Sequence, residues 1–147
     1  MKILVSACLL GTPCRYDGRS KTSAAVAALG AEHQLIPVCP EVLGGLSTPR
    51  PPAERQPDGR ILNREGQDVT GEYEAGAAAT AALARREGCT LAILKTRSPS
   101  CGRGMIYDGS FSGRLAPGDG AAAQRLLEAG VKVLGEDEAE RYFQTLQ

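Results

Sequence analysis

An α/β fold on a mostly parallel sheet is predicted by three observations. Short apolar runs alternate with alanine-rich, helix-patterned segments, several helical segments stop at a glycine, and 147 residues suffice for one continuous core. The elements follow in order. Residues 3–7 (Ile-Leu-Val-Ser-Ala) read as a strand feeding a loop over 8–19 that contains Gly11, Pro13 and Gly18. Residues 20–29 begin with capping hydroxyls and stop at Gly30, which predicts a helix. Residues 34–39 form a second strand, with Pro37 tolerable near a strand end or at a sheet edge. From 40 to 68 prolines and glycines interrupt every helical pattern, so a long functional loop is expected. Within it a small hairpin is predicted, 60–63 against 67–70. Residues 70–86 are helical, with Tyr73, Ala77, Ala81 and Ala84 along one face and Gly88 beyond the end. A strand at 91–95 leads into a glycine-rich passage with a second hairpin at 105–111, then a helix at 119–129, a strand at 131–134 and a helix at 137–146. Right-handed crossovers would cover both sheet faces, giving over residues 1–147 a single-domain, three-layer Rossmann-like fold with small hairpin insertions.

Composition excludes several functions. Seventeen basic and seventeen acidic side chains cancel, so the long-range positive field that holds a protein on a nucleic-acid backbone is missing, and no nucleic-acid polymer is expected as partner. The longest unbroken apolar run is six residues, against the roughly 20 that a membrane-spanning helix needs. The opening residues are too short an apolar run for a secretory leader, and a cytoplasmic location is expected.

Five cysteines, an odd and sparse set, are read as reduced thiols rather than as a disulfide framework. Cys89 opens the strand at 91–95 and reads as a small core residue. Cys8, Cys39 and Cys101 each follow the carboxyl end of a predicted strand, where open parallel sheets bind ligands, and Cys14 shares the loop of Cys8. Four thiols therefore converge on one crevice. No pair of cysteines has the two-residue spacing of structural zinc sites, and the single histidine, His33, lies on a predicted turn and is read as solvated, so zinc fits poorly. Thiolates distant in sequence but gathered by the fold suit an iron-sulfur cluster.

Glu41 stands two residues after Cys39, which in extended chain points both side chains to one side; it either faces the crevice or caps a turn. Ser98 and Ser100 bracket Pro99 just before Cys101, and either one relays a proton or both only shape the turn. Gly102 and Gly104 allow backbone N–H groups to approach a cluster or an anionic product. The arginines between 50 and 64 are read as a solvated rim.

Three motifs in order, Ser6-Ala7-Cys8-Leu9-Leu10-Gly11 with Cys14-Arg15-Tyr16-Asp17-Gly18, Cys39-Pro40-Glu41 with Gly44-Gly45-Leu46, and Ser98-Pro99-Ser100-Cys101-Gly102, resemble those of domain of unknown function family 523 over essentially the whole chain. The resemblance implies a 4Fe-4S cluster held by three cysteines and removal of sulfur from a thiolated pyrimidine, such as thiouracil, without net redox change. It also implies catalytic roles for a glutamate, matched by Glu41, and a serine, for which Ser98 is the first choice and Ser100 the second. Longer relatives carry an added C-terminal domain, which is not expected here. Cys8, Cys14 and Cys101 are the preferred ligands, because two share a loop and the third adjoins the serines; Cys39 is a fourth ligand or a neighbour of the ligands. The substrate expected is a small thiocarbonyl compound that loses hydrosulfide. Two other classes stand beside this one: an iron-sulfur or zinc-binding module for electron transfer or partner assistance, and a metal-free redox protein with a reversible Cys8–Cys14 disulfide.

Overall fold

The computed structural model describes residues 1–145. Four strands, β1 (Lys2–Ser6), β2 (Gln34–Val38), β5 (Leu91–Leu94) and β8 (Lys132–Gly135), form one parallel sheet in the order β2-β1-β5-β8. Registers such as Leu4↔Ile36, Leu4↔Ala92 and Ala92↔Val133 align the strand ends. Side chains alternate across the sheet. Ile3, Val5, Leu91, Ile93 and Leu134 face Val26 of α1 (Ala24–Ala28) and Ala139 and Phe143 of α5 (Glu136–Thr145). Leu4, Ala92, Leu94 and Val133 face Ala84 of α3 (Thr70–Glu87) and Ala123 and Leu126 of α4 (Ala121–Glu128). The three layers are thus α1/α5, sheet, and α3/α4. All four residues of β5 are buried, as a central parallel strand covered on both faces requires, while Pro37 sits on the edge strand β2.

Five expectations are corrected. Helix α1 starts four residues late: the Lys21 and Ser23 N–H groups donate to the carbonyls of Cys8 and Leu9, both at 2.9 Å, and Ser23 caps the helix instead. Residues Ala7–Leu10 form a 3-10 turn rather than strand end and open loop. The long loop contains a short helix, α2 (Pro40–Leu43), with Pro40 in its first turn. The first hairpin pairs β3 (Ala53–Arg55) with β4 (Ile61–Asn63); residues 67–70 make only one bridge, Leu62↔Asp68, because Thr70 already begins α3. The second hairpin pairs β6 (Met105–Tyr107) not within 105–111 but with β7 (Leu115–Pro117), leaving a loop over 108–114. Leu146, the expected end of the last helix, lies outside the described residues.

Two glycines let α2 press against α3. A Cβ on Gly44 would stand 1.9 Å from the Glu72 carbonyl oxygen, and one on Gly76 would stand 2.0 Å from that of Pro40. Nothing larger fits at either position, and the contact fixes where α2 begins.

Candidate active site

The chain leaves β1 toward β2 and leaves β5 toward β8 on the opposite side, so the sheet order reverses between β1 and β5 and opens a crevice beyond their carboxyl ends. Cys8 lies in the 3-10 turn after β1, Cys39 at the N-cap of α2 after β2, and Cys101 in the loop after β5. Gly11, at φ 99°, reverses the first loop, and the Thr12 N–H reaches the Ala7 carbonyl at 3.2 Å, which returns Cys14 to the crevice. The Cys14 carbonyl accepts from the Cys39 thiol at 3.7 Å and from Arg50 Nη2 at 3.1 Å.

A cavity of about 300 Å³ occupies this place, and Cys8, Cys14, Cys39, Cys101, Glu41 and Ser98 all line it. Ser100 does not line it. Its side chain is wholly buried, its hydroxyl has no partner, and its carbonyl accepts from Ala122 and Ala123 N–H at 2.9 and 3.1 Å, so it anchors α4. Ser98 Oγ accepts the Cys101 N–H at 2.7 Å and holds the cysteine loop closed. Cys89 is buried in the α3/α4 layer, apart from the cavity.

Burial and mutual charge dominate the electrostatics. Burial pushes the Cys8 thiol from the ordinary 9.0 to about 11, helped by the Glu41 and Cys39 charges and opposed by Lys95 and Arg15. Burial, with Cys39, Cys8 and Glu41, pushes Cys14 to about 12. Cys101 is driven well above its ordinary value by burial and Glu41, against a hydrogen bond from Ser6. These thiols and one carboxylate feel one another in a poorly solvated space, and their joint ionisation calls for a cationic guest. Among the described residues, no three His, Cys, Asp or Glu side chains close on one point as a single bare ion demands. The sulfurs stand instead around the wall of a cavity, and an all-thiol donor set spread around a body larger than one ion fits an iron-sulfur cluster.

Several participants escaped the sequence. Arg50 belongs to no solvated rim: it is 9% exposed, pairs with Glu41 Oε2 at 3.1 Å through Nη2, and reaches the Ser47 carbonyl and Thr48 Oγ1 through Nη1. Arg55 is also engaged, donating to the Asp119 carbonyl at 2.8 Å, whereas exposed Arg60 pairs with exposed Asp58. Buried Ser6 accepts the Lys95 N–H at 2.9 Å and donates to Cys101 Sγ at 3.4 Å, tying β1, β5 and the thiol together. Buried Tyr73 of α3 lines the cavity, and burial raises its phenol well above the usual range. Lys95, also on the wall, pairs with Glu136 at 3.0 Å; burial favours the neutral carboxyl there, but backbone N–H groups and Lys95 hold its pKa below the usual value. Only their places, a serine at a strand end and an arginine between prolines, hinted at Ser6 and Arg50. The glycine N–H groups serve the loop itself: Gly102 donates to the Ser98 carbonyl at 3.0 Å and Gly104 to Asp119 Oδ1 at 2.7 Å. His33 is half-buried with its ring 5.3 Å from that of Phe143, not solvated.

Known proteins are similar to this chain in fold and in sequence. A solved structure described as the 4Fe-4S-dependent thiouracil desulfidase TudS superposes with a TM-score of 0.90 at 47% identity, covering 99% of this chain and 97% of that one. An uncharacterized protein of Bacillus subtilis (strain 168), YbbK, is 43% identical over 145 residues, spanning 92% of this chain and 96% of its own length. The family model for 2-thiouracil desulfurase matches residues 3–138, from the first residues of β1 into α5, so all four cavity cysteines, Glu41 and Ser98 fall inside it, and the chain belongs to the 2-thiouracil desulfurase family.

Proposed function

We propose that this chain is a 4Fe-4S-dependent, non-redox desulfidase that converts a small thiocarbonyl compound, a thiolated nucleobase such as thiouracil, to its carbonyl form and releases hydrosulfide. The observation that carries this reading is one cavity lined by four thiols, a carboxylate and a serine at the point where the sheet order reverses. Cys8, Cys14 and Cys101 would hold the cluster, with Cys39, half-buried beside Cys14, as a fourth ligand or a neighbour of the other three. When bound, a cluster with one iron free of protein ligand supplies a Lewis acid for a thiocarbonyl sulfur.

The chain's own groups do the rest. Arg50 fixes one oxygen of Glu41 on the first turn of α2, and the carboxylate takes the proton of a water that attacks the thiocarbonyl carbon. The Ser98 hydroxyl, on the cavity wall, delivers a proton to the heterocycle as the carbon–sulfur bond breaks. Water and thiocarbonyl thus become carbonyl and hydrosulfide, with no change of oxidation state. Free cysteines throughout the described residues suit a reducing compartment, and the reading includes a cytoplasmic location, one cluster-binding α/β domain and no nucleic-acid polymer as substrate.

Anaerobic reconstitution with iron and sulfide, followed by measurement of hydrosulfide from a panel of thiolated bases, tests the proposal. Turnover is expected from the loaded protein and lost on chelation. In Glu41→Ala, with iron content unchanged, turnover is expected to fall about 10²- to 10⁴-fold. Near-normal turnover in that variant would remove Glu41 from the chemistry, and a loaded wild type inert on every thiolated base would end the desulfidase reading.

A further inference from the structure

One cavity wall hangs from the insertions instead of the sheet. Phe111, in the loop between β6 and β7, lines the cavity although its φ of 56° is a left-handed conformation that a bulky side chain seldom adopts. A buried carboxylate holds it there. Glu54, 9% exposed on β3, accepts the N–H groups of Gly109 and Phe111 on the same oxygen, Oε1, at 3.0 and 3.1 Å. Gln56 adds a bond from Nε2 to the Gly109 carbonyl at 3.2 Å. The Arg64 guanidinium stands 5.6 Å from the centre of the Phe111 ring and lines the same cavity, so an aromatic ring and a cation share this wall. Nothing in the proposed chemistry uses Glu54, yet it is the buried charge that joins the two hairpins.

We infer that Glu54 is a positioning residue that clasps the 108–114 loop so that Phe111 forms a stacking wall, selecting planar heterocyclic thiocarbonyl compounds over acyclic ones. The inference rests on the desulfidase reading. Phe111 contributes through face-to-face contact with an aromatic ring, a contact that an acyclic thioamide such as thioacetamide lacks. Loss of the Glu54 carboxylate leaves two amides without their acceptor and frees Phe111 from its unfavourable backbone conformation.

Two readouts test it. Hydrogen exchange at the Gly109 and Phe111 amides, followed in cluster-loaded protein, reports the clasp without reference to activity. Protection is expected in the wild type, lost in Glu54→Ala and kept in Glu54→Gln, whose amide oxygen still accepts both N–H groups. Steady-state hydrosulfide release reports the wall. Phe111→Leu is expected to raise KM for 2-thiouracil about tenfold, with a smaller effect on kcat and a smaller loss on thioacetamide than on 2-thiouracil. Glu54→Ala is expected to reproduce that pattern, Glu54→Gln to restore most of it, and the double variant to lose nothing further. An unchanged KM in Phe111→Leu, or equal losses on both substrates, overturns the stacking role, and retained amide protection in Glu54→Ala overturns the clasp. Failure of the functional reading is a separate result: a loaded wild type that releases no hydrosulfide from any thiolated base, whatever the exchange data show.

Discussion

Arg50, which the sequence places on a solvated rim, carries more of the site than any other residue read that way. Its buried guanidinium joins Glu41 to the Cys14 carbonyl, so the carboxylate and the loop bearing two of the thiols share one anchor. Removing it strands a carboxylate that is only 15% exposed, and Arg50→Met is expected to cost about 3 kcal/mol in urea unfolding and to lower turnover at constant iron content. The two serines separate at the same scale. Ser98→Ala is expected to reduce turnover more than tenfold at constant iron content, whereas Ser100→Ala, which deletes a buried hydroxyl without a partner, should leave turnover within about twofold; equal losses in the two would take Ser98 out of the proton path. That Cys8, Cys39 and Cys101 would meet at one crevice was legible because each follows a strand end among glycines and prolines, and Cys14 shares the loop of Cys8. Arg50 and Ser6 were not, since an arginine among prolines and a serine at a strand end look alike whether solvated or bonded across the fold.

Short elements decide where those residues stand. Helix α2 has four residues, too few to show a helical period, and its place is set by the reciprocal contact of Gly44 and Gly76. Gly76→Ala therefore pushes α2 away from α3. The expected outcome is a melting temperature lowered by several degrees, consistent with about 1 to 3 kcal/mol of overpacking, together with a loss of turnover larger than the stability change explains, because Cys39 and Glu41 move with the helix. A variant that melts earlier but turns over normally would show that α2 does not position the carboxylate. The parallel strands and the longer helices were readable from periodicity and terminal glycines. Hairpin partners were not: β4 has a candidate on either side in sequence, and the choice of Ala53–Arg55 depends on Thr70 having already entered α3.

At the level of the whole molecule, the fold holds thiols in their neutral form. With Cys8 at about 11 and Cys14 at about 12 against 9.0 in an unfolded chain, the contribution of each to stability is full below about pH 9 and is lost as pH rises through the folded values. Cluster-free protein is expected to show a urea midpoint that falls between about pH 9 and 11, whereas loaded protein, whose ligand sulfurs have already given up their protons, should lack that fall. Loading itself should release protons, measurable with an indicator dye under nitrogen, and stripping the metal should lower the melting temperature. The layer order was readable in advance because alternating strands and helices admit few arrangements; how far the insertions lean over the crevice depends on single long-range bonds, such as those of Glu54, that no local pattern encodes. The Phe111 loop belongs to a hairpin outside the four-stranded sheet, while three of the four thiols lie just past strands of that sheet. Reactivity and selectivity are therefore separable modules: exchanging residues 108–114 between relatives is a route to new substrate ranges that leaves the iron chemistry where it is, for evolution and for the protein engineer alike.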